Sequence, residues 1–322
     1  MSLPLPALAS ALVRRPPLSA LLVGRRGPKL LVTANIHGPE INPCIISHRI
    51  IEWLESAVAD GSLQGSVAVF PSLNPTGHRA ATRSPSFEGV DPNRYWPDGF
   101  AAEPELSADL AEDRYAALYA KRNEPGPTEQ CWAKLFELWR AVGFDYHVDL
   151  HTAATLSVRP PTHPSWPTPR SASPGPRPSF SPKPAGQHPF IFVDRVLYRE
   201  GGGAQEEAEG LWVRLRGMCE ALGLSLLAEQ PPKQYISAAL HRSTSGAVLN
   251  GLRVPSVTIE CGGMGVAEPR ARDGVVEALH NLMRHAGMEA GPIVPQQVVP
   301  AHLRLENLHR SVTYPYAPCT GI

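Results

Sequence analysis

The five cysteines, Cys44, Cys131, Cys219, Cys261 and Cys319, include no CxxC pair. An odd, scattered set suits free thiols in a reducing compartment and offers no cysteine-ligated zinc. No apolar run approaches the roughly 20 residues needed to span a bilayer. Neither sign of charge is in excess: 30 basic residues balance 30 acidic ones. No global field therefore points to nucleic acid or an anionic membrane, and any recognition of charge must be local. Acidic residues are absent before Glu40, while Arg14 and Arg15 lie near the start. Strand-like sequence already begins at Ala20 and leaves little for a cleaved targeting segment, so the cytoplasm is the expected location. No internal repeat is visible.

What remains is an ordinary globular composition of 322 residues, 43% hydrophobic and 19% charged. It suits one large domain, or a large one with a small one. Ala20–Val23 and Leu30–Ala34 flank Gly24-Arg25-Arg26-Gly27 and read as a hairpin or two adjacent strands. Ile45, Ile46, Ile50, Ile51, Leu54 and Val58 recur at helical spacing and predict an amphipathic helix packed on a sheet. Further strands are expected at Val67–Leu73, Tyr146–Leu150, Phe190–Val193, Leu224–Ala228 and Ser256–Glu260. Helices are expected near 104–121, 128–142, 204–222, within 245–252 and near 268–285. This alternation predicts a three-layer α/β/α sandwich with a mixed, largely parallel sheet over residues 1–291. Residues 292–322 form a short, β-prone C-terminal segment.

One stretch interrupts the pattern. Residues 159–189 hold 11 prolines in 31 positions, a density that excludes helix interiors and central strands. A loop or disordered insert, mobile and dispensable for folding, is expected there. Limited proteolysis should cut within it first; strong protection would instead show an ordered lid.

Four polar features fall at predicted strand-to-loop junctions, where open α/β sheets place ligands. In Ile36-His37-Gly38-Pro39-Glu40, the Gly-Pro turn lets His37 and Glu40 converge on one point. Asp149-Leu150-His151-Thr152 closes another strand. Two imidazoles and one carboxylate leave a tetrahedral zinc one open position, as a catalytic site requires. Asp149 suits a place behind the ligands, although alternation along a strand explains its spacing from His151 equally well. A polar loop from Asn74 through Arg83 to Asp91-Pro92-Asn93-Arg94 supplies guanidinium groups able to clamp a carboxylate or an oxyanion. Glu260, ending the run Thr258-Ile259-Glu260 before a glycine pair, is placed to act as a general base on water. Each feature alone is commonly a polar turn, a satisfied histidine or a surface ion pair. Their occurrence together and in order is what carries weight.

The ordered set resembles the succinylglutamate desuccinylase and aspartoacylase family of the zinc carboxypeptidase clan, over about residues 20–285. Its elements are the HxxE turn, an Asn-Pro segment with an arginine nine residues on (Asn74 to Arg83), the Asn93-Arg94 pair, the strand-ending His151, and Thr-x-Glu-x-Gly at 258–262. The resemblance implies one Zn2+ per chain on His37, Glu40 and His151. It implies that Arg83 polarises the scissile carbonyl, that Asn93 and Arg94 bind a substrate carboxylate, and that Glu260 activates water. Tyr235 is a candidate for the phenol that the clan places near the scissile bond. Pro39 departs from the charged or small residue usual in the turn and should stiffen it. The segment after 291 resembles the start of the small β-domain of the deacylases, cut short. The implied activity is removal of an acyl group from a small carboxylate-bearing N-acyl amino acid. A peptide-cleaving carboxypeptidase is the runner-up, and a zinc-binding pseudoenzyme a third reading. No nucleic acid or membrane partner is expected, and a homo-oligomer is compatible with the sequence.

Overall fold

A computed structural model describes residues 18–98, 125–153, 189–198 and 203–296. The helix expected near 104–121, the proline-rich insert up to residue 188 and the segment beyond 296 lie outside the described residues. Seven strands form one sheet: β1 (Leu21–Gly24), β2 (Lys29–Ala34), β3 (Ser66–Phe70), β4 (Tyr146–Ala153), β5 (Phe190–Val193), β6 (Ser225–Ala228) and β7 (Ser256–Gly263). Their order is β1-β3-β2-β4-β7-β5-β6. β3, β2, β4 and β7 run parallel, as do β5 and β6, while β1 on β3 and β5 on β7 are antiparallel. The sheet is thus mixed and largely parallel.

One expectation is corrected here: β1 and β2 are not neighbours, because β3 lies between them. The Gly24–Gly27 turn reverses across the start of β3, where Arg25 N donates to Gly65 O and Ser66 N to Pro28 O. A Cβ on Gly24, at φ +127°, would sit 2.1 Å from Gly65 O. Only glycine permits that approach.

The two faces of the sheet differ in character. One carries Leu30, Val32, Val148, Leu150, Val257 and Ile259, all buried. It is covered by α1 (Ile41–Ala59), α4 (Ala204–Leu222) and α7 (Pro269–His285), numbered in chain order. A buried Leu or Ile contributes about 1.5–3 kcal/mol, so this face secures the sheet. The opposite face meets α3 (Pro127–Val142) and α6 (Thr244–Gly251) through Leu31, Phe70 and a stack of Trp96, Trp132 and Trp139. Trp96 lies 4.7 Å from Trp132 and 4.8 Å from Trp139, centroid to centroid. Near the middle of that face β4 presents His147, Asp149 and His151 at alternate positions, all buried. Two short helices, α2 (Pro75–Ala80) and α5 (Pro232–Ser237), were not anticipated, since proline-led six-residue turns carry no periodicity. Among the described residues no helix is long and apolar enough to cross a membrane.

Candidate metal centre

The loop after β2 is shaped by Asn35, whose backbone sits at φ +54°. Its side-chain amide donates to the carbonyls of His37, Gly38 and Glu40 at 3.0, 3.2 and 2.9 Å. Asn tolerates the left-handed region and bonds its local backbone, so this residue folds the turn from within. Asn74 braces it from outside. It caps α2 by accepting from Gly77 N, and its amide donates to Ile36 O and Arg83 O. Gly38 packs directly on Gly77, where a Cβ would come within 2.0 Å of the backbone.

The turn brings His37 and Glu40 together with His151 from β4, all three buried. His37 Nδ1 lies 2.7 Å from Glu40 Oε1, and His151 Nδ1 lies 3.2 Å from Glu40 Oε2. One potential ligand atom from each residue falls within 4.8 Å of the others. Each imidazole gives its other nitrogen to a carboxylate: His37 Nε2 to Asp91 Oδ1 at 3.1 Å, and His151 Nε2 to Asp149 Oδ2 at 2.8 Å. A carboxylate behind each histidine orients the ring and leaves the facing nitrogen for a cation. Thr152 N also donates to Glu40 Oε2.

Electrostatics reinforce the arrangement. Burial pushes the Glu40 carboxyl up, but His151 and His37 outweigh it and bring it to about 2. Burial also opposes ionisation of Asp149 and Asp91, yet the neighbouring imidazoles hold both below the usual carboxylate range. For His151 burial favours the neutral ring, whereas Asp149 and Glu40 drive its pKa well above the ordinary value. The carboxylates of Glu40, Asp91 and Asp149 thus favour positive charge on the imidazoles between them.

Glu260 is the register partner of His151 on β7, so the two project from the same face of the sheet. It lies inside β7 rather than at its end, because the strand continues to Gly263. Arg83 is half exposed and reaches Asp91 Oδ2 through Nη2 at 2.8 Å and Nε at 3.2 Å. Asp91 thus links His37 to Arg83. Asn93 is buried, with Oδ1 accepting from Thr244 N at 2.8 Å and Thr244 Oγ1 at 3.0 Å at the start of α6. Its amide is 3.5 Å from His151 Nε2. Arg94 donates to Asn93 O and is near enough to act electrostatically on both Asp91 and Tyr235. Tyr235 is fully buried, and its hydroxyl donates to Asp194 Oδ1 at 2.8 Å. Burial and then Glu229 push the Asp194 carboxyl up to about 7. Sequence reasoning missed Asn35 and the part played by Asp91. The signals were an asparagine between a strand and the HxxE turn, and an acid two residues before Asn93.

The model of the succinylglutamate desuccinylase/aspartoacylase catalytic domain matches residues 26–162, a span containing His37, Glu40, Arg83, Asn93, Arg94 and His151. Over that span, under half of the chain, the sequence is similar to this family. Several solved structures share the fold at low identity. The product-bound ectoine utilization protein of Ruegeria pomeroyi aligns at 16% identity and TM-score 0.56, over 87% of this chain and 64% of that one. A succinylglutamate desuccinylase/aspartoacylase from Rhodobacter sphaeroides aligns at 17% and 0.51, over 87% and 61%. A succinylglutamate desuccinylase from Silicibacter sp. TM1040 aligns at 14% and 0.55, over 88% and 66%. The chain thus spans less than two thirds of the length of each. No curated protein matches its sequence.

Proposed function

We propose that the chain is a hydrolase that uses one Zn2+ to remove the acyl group from a small N-acyl amino acid. The observation that carries this reading is the pair of imidazoles turned through Nδ1 onto Glu40, each backed by a carboxylate. Two nitrogens and a carboxylate are the donor set of a catalytic zinc with a position left for substrate. Bound there, Zn2+ supplies Lewis acidity beside the scissile amide. Glu260 takes the proton of the attacking water. Arg83 stabilises the charge that develops on the carbonyl oxygen, with Asp91 setting its direction. Asn93 and Arg94 hold the substrate carboxylate. Tyr235, within electrostatic reach of Arg94 and donating its hydroxyl to Asp194, lines the substrate side of the site. The four described cysteines are free, which fits the reducing, cytoplasmic setting proposed for the protein.

Similarity to the family supports acyl-amino acid hydrolysis; what distinguishes it from peptide cleavage is how much substrate the cleft admits. Short N-acyl amino acids are expected to exceed peptides with the same C-terminal residue by at least ~10-fold in kcat/KM, or about 1.4 kcal/mol in transition-state binding. Arg94→Ala should weaken both, since each loses its bidentate carboxylate partner. Faster release of C-terminal residues from peptides would sink the deacylase reading and promote a carboxypeptidase.

A further inference from the structure

Behind Asp149 the polar face of the sheet continues inward. The β2, β4 and β7 register sets Thr33 beside Asp149 and His147 beside Ser256, one row deeper. All four are completely buried. Thr33 Oγ1 is 2.7 Å from Asp149 Oδ1 and 2.9 Å from His147 Nε2, and His147 Nδ1 is 2.7 Å from Ser256 Oγ. The Trp139 ring lies 6.1 Å from that of His147, on the side where the tryptophan stack packs. Nothing in the proposed reaction uses Thr33, His147 or Ser256.

Counting protons gives the chain a direction. The Asp149 carboxylate only accepts, so the single Thr33 hydroxyl proton points to it. Thr33 must then accept from His147, which puts the His147 proton on Nε2. Burial holds the His147 imidazole down at about 4, so the ring is neutral and its Nδ1 is bare. Ser256 donates to that Nδ1. At the other end Asp149 Oδ2 takes the Nε2 proton of His151 at 2.8 Å. The Asn93 amide has Oδ1 fixed by Thr244, so its nitrogen faces His151 Nε2 as a second donor and forms no competing bond.

We propose that Ser256, His147 and Thr33 form a one-way hydrogen-bond chain that holds Asp149 as a fixed acceptor and so commits His151 Nε2, leaving Nδ1 as the ligand nitrogen. Thr33 and His147 are positioning residues: they touch neither substrate nor metal and act through Asp149. The inference rests on the metal reading above. It also explains why polar residues occupy the deepest part of this face, where apolar ones would pack at lower cost.

Isosteric and conservative variants of Thr33 separate this role from packing. Thr33→Val keeps the shape and removes the hydroxyl, while Thr33→Ser keeps the hydroxyl and loses a methyl. Zinc affinity, read by competition with a chromophoric chelator, is expected to fall about 10-fold or more in Thr33→Val, the scale for losing an outer partner of a ligand. Thr33→Ser should restore it. A packing role predicts the reverse order and would overturn the proposal. Long-range 1H–15N spectra of the metal-free protein should show His147 as the neutral Nε2–H tautomer; an Nδ1–H tautomer would break the chain's direction. Should Thr33→Val not fold, Ser256→Ala takes its place, with weakened zinc binding expected and unchanged affinity counting against the chain. Wild-type protein that binds no zinc would overturn the metal reading instead, and the His147 spectrum would still decide the direction of the chain.

Discussion

Glu260→Gln should keep its zinc and lose at least ~100-fold in kcat, the scale for a removed acid–base group. That factor corresponds to about 2.7 kcal/mol in the barrier. The amide fills the same space on β7, so the ladder to β4 and the placement of His151 stay as they are. What disappears is the ability to take a proton from water. Zinc content and steady-state turnover, measured on the same preparation, separate the outcomes. Full activity would return Glu260 to a structural role. Loss of zinc along with activity would make it a ligand.

In His37→Ala the expected zinc content falls from one ion per chain to near zero. Two protein ligands remain, and the Asp91 carboxylate loses the imidazole that holds it in place. Equal metal content in wild-type and variant protein would remove the proposed site. A thermal readout gives an independent check. A ligand at 100 times its Kd stabilises the native state by about 2.7 kcal/mol. Added zinc should therefore raise the melting temperature of the wild type and leave that of His37→Ala unmoved.

The candidate metal residues were legible in the sequence because their signal is local. His37 and Glu40 sit three apart across a Gly-Pro turn, and His151 follows the alternating strand segment Tyr146–Leu150. The helices at 204–222 and 268–285 and the strand at 190–193 followed from period, since each buries a continuous stripe or run against its neighbours. The extents of β4 and β7 were less legible: both continue three residues past the expected ends, held by ladder bonds to each other.

Residue type and spacing, then, pointed to the three-layer α/β/α sandwich, to His37, Glu40 and His151 as one candidate set, and to the resemblance to the desuccinylase and aspartoacylase family. Only the tertiary structure decided that β3 inserts between β1 and β2, that Arg83 is tied to His37 through Asp91, and that the Tyr235 hydroxyl is given to Asp194. Only it aligned Thr33, His147 and Ser256, which lie more than a hundred residues apart from strand to strand. The reason is physical. Periodicity and turn chemistry act between residues a few positions apart, whereas strand order and register are settled by which faces can be buried together.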